Sequence, residues 1–160
     1  MSKKVFEVIS NEYENLSELP VEFQQLILKA RQSSDDAYAP YSQFSVGAAV
    51  LLQNGEIVIG SNQENADFTD GLCAERVALF SAHSVFPKVK VQAIAISAKN
   101  RNGLIPGPSS PCGSCRQVLI ESETRFNQQI TIILDGAEKI IIIEGADGLL
   151  PYAFKPDSLG

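Results

Sequence analysis

The sequence predicts an α/β fold, a three-layer α/β/α sandwich built on a five-stranded mixed sheet. Segments with apolar residues at helical spacing alternate with short apolar segments of strand length, in the order α-β-β-α-β-α-β-β. The last two strands are joined by residues 135–137 alone. That link is too short for a crossover helix, so these two strands should be antiparallel. The 160 residues, 44% of them apolar, are enough to bury one sizeable core.

The first half of the chain predicts one long helix and one hairpin. The helix begins near Pro20, because proline is favoured in the first helical turn. It ends at the Ala39–Pro40 bond, because a residue before proline avoids the α region. The Asn54-Gly55 pair is typical of a two-residue type I′ turn, in which both residues have positive φ. This turn joins strands predicted at 45–52 and 56–60.

The second half of the chain predicts two helices whose surfaces are largely apolar, at 72–82 and 111–122. Ser110 is the expected N-cap of the later helix, and Pro111 its first helical residue. The Gly- and Pro-rich residues 100–110 form a loop before it. The remaining strands are predicted at 91–97, 129–134 and 139–144.

The chain divides into an N-terminal extension, residues 1–19, and one catalytic domain, residues 20–160. The extension is mostly polar, and its few apolar residues predict no more than a short strand or a helical turn. Those residues are Val5, Phe6, Val8 and Ile9.

Charge and hydropathy exclude two classes of partner. The net charge is −6, with 13 basic and 19 acidic residues and no basic cluster. This balance argues against a nucleic-acid substrate, whose phosphates demand a basic face, and it suits a small uncharged one. No apolar run approaches the roughly 18 residues of a membrane span, and the first residues lack the apolar stretch of a secretory signal. We therefore expect a cytoplasmic protein without a membrane partner.

The three cysteines indicate a metal site or redox chemistry, since an odd number without an export signal is a poor disulfide framework. Cys112 and Cys115 lie one turn apart at the start of a predicted helix, and Cys73 opens another. Helix N-termini stabilise thiolates. Three thiolates leave one tetrahedral position open, which is the arrangement of a catalytic zinc. Glu75 follows Cys73 by two residues and is placed to move protons at that open position.

Simpler interpretations exist for each of these residues. The Cys-x-x-Cys pair alone is also typical of a thioredoxin-like redox site, but Cys73 and Glu75 would then be coincidental. A structural zinc site needs a fourth protein ligand. The only histidine, His83, lies about ten residues beyond Cys73 along the predicted helix and is not expected to supply it.

Two motifs resemble the paired signature of the zinc-dependent nucleoside and nucleobase deaminases: Cys73–Arg76 and Pro111–Gln117. A cysteine as the first ligand resembles the small homotetrameric cytidine deaminases in particular. The similarity covers roughly residues 22–160. It includes Ala37–Ala49, Gly60–Ala66 and Leu149–Phe154.

The resemblance implies one Zn²⁺ per chain, held by Cys73, Cys112 and Cys115, with Glu75 as the residue that moves protons. It implies hydrolytic deamination of cytidine and deoxycytidine, and a homotetramer with shared active sites. It also assigns substrate contacts. Asn62 and Glu64 would bind the ribose hydroxyls, Phe44 would stack near the pyrimidine, and Phe154 would enter a neighbouring subunit's site. The Ala74 N–H would bind the base carbonyl, the Ser110 carbonyl would accept from the leaving amine, and Arg76 would donate to the cysteine sulfurs.

Two positions depart from the pattern of the family. Asp67-Phe68 stands where Ala-Tyr is common, so a phenolic hydroxyl is lost, and Gln63 replaces an aliphatic residue. These departures concern the 5′ side and contacts between subunits. Two alternative functions stay open: deamination of another aminopyrimidine nucleoside, such as a nucleoside antibiotic, and zinc binding without enzymatic activity.

Overall fold

The computed structural model describes residues 1–159. Gly160, the last residue of the predicted catalytic domain, lies outside the described residues. No helix within residues 1–159 combines the length and the apolar character needed to cross a bilayer. The helices are α1 (Val21–Ser33), α2 (Ala74–Val85) and α3 (Gly113–Phe126). The strands are β1 (Ser10–Tyr13), β2 (Ser45–Leu52), β3 (Ile57–Ser61), β4 (Val91–Asn100), β5 (Gly103–Leu104), β6 (Thr131–Asp135) and β7 (Ile140–Glu144).

The strands form one mixed sheet in the order β1-β7-β6-β4-β2-β3, with β5 paired to β4. Strands β4 and β6 are parallel, whereas β6 and β7 are antiparallel, which confirms that prediction. The sheet has seven strands rather than the five predicted. One additional strand, β5, lies in the predicted loop 100–110, and the other, β1, belongs to the N-terminal extension.

Helices cover both faces of the sheet, as the sandwich prediction requires. Strand residues alternate between the faces because successive side chains point in opposite directions. In β2, Ala48 and Val50 face the core under α2 and α3, whereas Ala49 and Leu51 face the core under α1. The site described below lies where α2 and α3 begin.

Several predicted helix boundaries need correction: α2 runs over Ala74–Val85 rather than 72–82, and α3 ends at Phe126 rather than at residue 122. The first helix is α-helical only to Ser33 and continues as a 3-10 turn, Ser34–Asp36. The N-cap of α3 is Cys112 rather than Ser110, so Pro111 precedes the helix. Cys112 has the extended φ of −68° and ψ of 169° that N-caps adopt. This backbone keeps its side chain off the helical surface and free to meet the other cysteines.

The predicted hairpin between β2 and β3 is present, but its turn type is not I′. Among residues 1–159, Gly55 has φ +86° whereas Asn54 is not one of the positive-φ residues. The Leu52 N–H donates to the Glu56 carbonyl at 2.9 Å, which leaves a three-residue loop. A three-residue loop that ends in a left-handed glycine is the next most common hairpin connection.

Close packing of α2 on β3 depends on Gly60. A Cβ at this position would lie 2.5 Å from the Ala78 nitrogen and 2.9 Å from the Ala74 carbonyl oxygen. The backbone of α2 therefore rests directly on the strand, with no side chain between them. This contact sets the distance between the sheet and the N-terminal end of α2, where Cys73 and Glu75 lie.

A buried carboxylate joins α1 to the sheet. Asp135 is fully buried and accepts two hydrogen bonds from Arg31, from Nε at 2.8 Å and from Nη2 at 2.7 Å. Ser97 donates a third at 2.7 Å from β4. Three donors offset the cost of burying the carboxylate.

The lone histidine joins the far ends of α2 and α3. His83 Nε2 lies 3.0 Å from Ser122 Oγ, and its ring stacks on Phe126 at a centroid distance of 5.8 Å. Within residues 1–159, its Nδ1 is buried without a hydrogen-bond partner. Burial, and then the charge of Arg125, lower the pKa of His83. The histidine therefore has a packing role away from the cysteines.

Candidate metal centre and substrate pocket

The three cysteines converge where the N-termini of α2 and α3 meet. Cys73 is the N-cap of α2, Cys112 is the N-cap of α3, and Cys115 lies in the first turn of α3. The Cys73 Sγ is 3.7 Å from the Cys112 Sγ, and the Cys112 Sγ is 3.5 Å from the Cys115 Sγ. All three sulfurs lie within 4.8 Å of one another. The sequence prediction that residues 73, 112 and 115 form one cluster is thus met.

The spacing of the sulfurs fits a zinc ion. Tetrahedral coordination with Zn–S bonds of about 2.3 Å requires sulfur–sulfur separations of roughly 3.8 Å. The separations of 3.5 and 3.7 Å are close to this value. In the described part of the chain, no further His, Cys, Asp or Glu belongs to the cluster. The cysteines would therefore fill three corners of the tetrahedron and leave the fourth for a non-protein ligand.

The surroundings favour ionised sulfur at Cys73. Its pKa is lowered to about 5, first by the hydrogen bond with Cys115 and then by Arg76 and Cys112. The pKa of the Cys115 thiol is raised, first by its interaction with Cys73 and then by burial. A proton therefore leaves Cys73 more readily than Cys115. Metal binding must release the thiol protons that remain.

Arg76 is a cation in contact with the cysteine cluster. Its Nη2 donates to the Cys73 Sγ at 3.9 Å and to the Gly71 carbonyl at 3.4 Å. Its Nε is buried and has no hydrogen-bond partner among residues 1–159. The guanidinium offsets the negative charge that three thiolates bring together.

Glu75 lies in the first turn of α2 and lines the same pocket as Cys73 and Cys112. Only 4% of the residue is exposed. Burial raises the pKa of its carboxyl, and the nearby charge of Cys73 raises it further. A carboxyl with a raised pKa takes up and returns protons more readily near neutral pH than an exposed one.

The pocket above the cysteines has a volume of about 740 Å³, within the range of sites for small organic ligands. Its walls combine polar groups with apolar and aromatic side chains. Among the predicted substrate-binding residues, four line it: Phe44, Asn62, Glu64 and Ser110.

Asn62 and Glu64 are held by backbone groups of residues 41–46, which lead into β2 and include its first two residues. The Asn62 side chain accepts from the Val46 N–H at 2.8 Å and donates to the Phe44 carbonyl at 3.0 Å. Glu64 Oε2 accepts from the N–H groups of Tyr41 at 2.9 Å and Ser42 at 3.3 Å. The pKa of Glu64 is lowered, first by its hydrogen bond with the Ser42 side chain and then by these two N–H groups. An ionised acceptor therefore stands at the pocket mouth.

The other two predicted contacts lie outside the pocket wall. Ala74 is fully buried in the first turn of α2, where backbone N–H groups have no partner within the helix. Phe154 is 59% exposed and is not among the lining residues. Its carbonyl accepts from Gln117 Nε2 at 2.7 Å. One copy of the chain, over residues 1–159, does not bring Phe154 into its own pocket.

The sequence interpretation did not assign two aromatic residues that line the pocket mouth. Tyr41 and Phe68 contact each other edge to face, with centroids 5.6 Å apart. Phe68 lies in a 3-10 turn capped by Asp67, whose side chain accepts from the Thr69 N–H. One signal in the sequence points to Phe68, since Asp67-Phe68 departs from the pattern of the family. Tyr41 had no such signal, because it acts partly through its backbone N–H.

A model of the cytidine and deoxycytidylate deaminase zinc-binding region matches residues 21–128. A cytidine deaminase of Halalkalibacterium halodurans is 46% identical over 98 residues, which cover 61% of this chain and 70% of that protein. A cytidine deaminase of Sporosarcina psychrophila is 36% identical over 139 residues, which cover 87% of this chain and 96% of that protein.

Solved structures of cytidine deaminases share the fold. The enzyme from Burkholderia pseudomallei has a TM-score of 0.69 and 38% identity, covering 81% of this chain and 97% of that one. The enzyme from Mycobacterium tuberculosis has a TM-score of 0.66 and 33% identity, covering 85% of this chain and 99% of that one. With the three-cysteine centre, these matches show that the chain belongs to the cytidine and deoxycytidylate deaminase family of zinc enzymes.

Proposed function

We propose that the chain hydrolyses cytidine and deoxycytidine to uridine and deoxyuridine, with release of ammonia, as in pyrimidine salvage. The observation that carries this proposal is the convergence of three cysteine sulfurs beside a buried Glu75 in one pocket of about 740 Å³. Relatives that match most of this chain's length are named cytidine deaminases, which supports the choice of substrate.

Glu75 would carry the protons of the reaction. Zn²⁺ bound by the three cysteines would supply Lewis acidity, which lowers the pKa of water. Glu75 accepts a proton as the water oxygen bonds to C4 of the pyrimidine, and passes this proton to N3. It then helps to protonate the amino group as the C4–N bond breaks. One water is consumed and one ammonia leaves.

The charge around the sulfurs supports this chemistry. Three thiolates leave a bound Zn²⁺ with a net charge of −1, which opposes the ionisation of water. The N-termini of α2 and α3 point at the sulfurs, and Arg76 donates to Cys73. These positive groups would offset the excess negative charge, so that the pKa of the attacking water would fall back toward neutral.

The pyrimidine would bind between Phe44 and the first turn of α2. The Ala74 N–H is proposed to donate to the base carbonyl, because N–H groups in a first helical turn lack partners within the helix. The Ser110 carbonyl would accept from the amino group that leaves. Phe44 and Ser110 both line the pocket, which supports their placement around the base.

The ribose would bind at the pocket mouth. Glu64 is ionised and held in place by two N–H groups, so it can accept from a sugar hydroxyl through its remaining oxygen. Asn62 would contribute a second contact. A carboxylate acceptor here favours a nucleoside over a free base, because a free base has no hydroxyl to donate. Phe68 offers no hydroxyl to the 5′ side of the sugar.

We further propose a cytoplasmic homotetramer with shared active sites, in which Phe154 of one copy reaches the pocket of another. Exposure of Phe154 at 59%, away from its own pocket, supports this arrangement. Three cysteines that must stay reduced support the reducing compartment. The net charge of −6 argues against a polynucleotide substrate.

Replacement of Glu75 tests the mechanism. Glu75→Gln keeps the size of the side chain but cannot accept a proton, so kcat for cytidine should fall by at least about 100-fold. Zinc content, measured by atomic absorption, should stay at one per chain. The matched control is Glu121→Gln, an exposed glutamate on α3, which should leave kcat unchanged.

The substrates are tested by the absorbance change and ammonia release with cytidine and deoxycytidine. Turnover of neither compound, but of another aminopyrimidine nucleoside, would replace the proposed substrate while keeping the reaction. Zinc binding without turnover of any cytosine compound would establish a non-enzymatic protein. Near-wild-type kcat in Glu75→Gln would refute the proton-transfer role.

A further inference from the structure

The N-terminal extension contacts the end of the chain. Phe6 meets Tyr152 edge to face, with ring centroids 4.9 Å apart. The Lys4 ammonium lies 4.8 Å from the Phe6 centroid and 5.5 Å from the Tyr152 centroid. The Glu7 carbonyl passes so close to Gly148 that a Cβ there would lie 2.6 Å from it. We call residues 4–8 the strap, and residues 147–155 the C-terminal segment.

The C-terminal segment is fixed on its other side by α3, directly after the metal-binding cysteine. Arg116 Nη1 donates to the Leu149 carbonyl at 2.8 Å, and Gln117 Nε2 donates to the Phe154 carbonyl at 2.7 Å. These two donors follow Cys115 in sequence. The segment therefore bridges the strap and the helix that carries two of the zinc ligands.

Two aromatic side chains of the C-terminal segment are largely exposed, although Leu149, Leu150 and Ala153 pack against the core. Tyr152 is 80% exposed and Phe154 is 59% exposed. Tyr152 also adopts a left-handed φ of +59°, which is unfavourable for a residue with a side chain. Such a conformation persists only when surrounding contacts determine it. The aromatic contact with Phe6 is one of these contacts.

We propose that the strap, through Phe6, positions the C-terminal segment so that Phe154 is presented in one fixed place. The inference rests on the proposed function, in which Phe154 completes the active site of a neighbouring copy. A segment that is already ordered does not lose conformational freedom when substrate binds, so it strengthens binding. Phe6 is thus a positioning residue for substrate binding, with no part in proton transfer.

The strap lies in a part of the chain that the match of the family model does not include. That match begins at residue 21. Strand β1 pairs with β7 through Ser10–Tyr13, and β7 ends shortly before the C-terminal segment. This pairing holds the residues that follow the strap against the sheet. The strap is therefore anchored on its C-terminal side by a strand of the sheet.

Replacement of Phe6 tests the proposal. Phe6→Ala should raise KM for cytidine by roughly 2- to 10-fold, the range expected for losing one aromatic pair, with kcat within about twofold of wild type because Glu75 is untouched. Zinc content should not change. Phe6→Tyr keeps the ring and should restore the wild-type KM. The matched control is Ile9→Ala, at an exposed apolar residue of the extension, which should leave KM unchanged.

A double variant separates positioning from general destabilisation. If Phe6 acts through Phe154, then Phe6→Ala in a Phe154→Ala background should raise KM no further, because coupled residues are not additive. Additive effects of the two substitutions would overturn the proposal. So would an unchanged KM in Phe6→Ala.

Hydrogen exchange distinguishes failure of the strap from failure of the proposed function. Amides of residues 147–155 should exchange faster in Phe6→Ala than in the wild-type protein, whether or not cytidine is the substrate. If the wild-type protein turns over no cytidine but exchange rises, the proposed function fails while the strap still fixes the segment. If cytidine is turned over normally and exchange does not rise, the strap proposal alone is overturned.

Discussion

Packing of α2 against β3 at Gly60 offers a sensitive test of how the fold controls the metal centre. Gly60→Ala would place a Cβ 2.5 Å from the Ala78 nitrogen, and the neighbouring atoms are backbone rather than flexible side chains. Ordinary contact of a Cβ begins at 3.4 Å. The helix must therefore retreat from the strand by roughly 0.9 Å to remove the overlap.

This displacement is large compared with the tolerance of a zinc site. Ligand distances vary by about 0.2 Å between good sites of one type, and Cys73 moves with α2 while Cys112 and Cys115 move with α3. We expect zinc affinity to fall by about 10- to 100-fold, which is the loss seen when a residue that holds a metal ligand in place is removed. Overpacking should cost about 1–3 kcal/mol of stability, which lowers Tm by roughly 2–12 °C in a domain of this size.

Zinc affinity is measured by competition with a chromophoric chelator, and Tm by circular dichroism at equal zinc concentration. Gly107→Ala is the matched control, because a Cβ there meets no atom within 4 Å and its φ is not positive. The control should behave as wild type in both assays. A Gly60→Ala protein with the zinc affinity and Tm of the control would refute the claim that this contact sets the position of Cys73.

Two further predictions concern the rest of the fold. Arg31→Met leaves the buried Asp135 with one donor and should reduce the free energy of unfolding by about 2–3 kcal/mol in urea titrations. This loss is smaller than for a fully buried pair because the Arg31 side chain is 29% exposed. The control Lys29→Met, at an exposed residue of the same helix, should leave the free energy of unfolding almost unchanged. The folded state lowers the pKa of His83 below its unfolded value of about 6.5. The stability that the neutral ring contributes is therefore fully present above about pH 6.5 and is lost as the pH falls through the folded pKa. His83→Gln should flatten the fall in unfolding free energy below pH 6.5, and an unchanged slope would contradict this assignment.

The centre of the site could be predicted because its signals are local and chemical. Cys73 and Glu75 are two residues apart, Cys112 and Cys115 are three apart, and each pair opens a helix. Helix N-termini at the same edge of a sheet bring such residues together. The sequence therefore indicated both the sulfur cluster and the acidic group beside it.

Features that depend on backbone groups could not be predicted in the same way. Strand β1 consists of Ser-Asn-Glu-Tyr, which has no apolar alternation, and it forms because its backbone pairs with β7 far along the chain. The N–H groups of Tyr41 and Ser42 that hold Glu64 have no side-chain signature. The hairpin was predictable, but its turn type was not, because Asn54-Gly55 fits either loop length.

Pairing of β1 with β7 gives the order of biosynthesis a consequence. Ser10 is synthesised well before its partner Ile143, because most of the sheet and all three α-helices lie between them in the sequence. Strand β1 must therefore stay unpaired until β7 has been synthesised, and this edge of the sheet can form only then. The polar, charged sequence of β1 keeps that waiting strand from adhering to other chains.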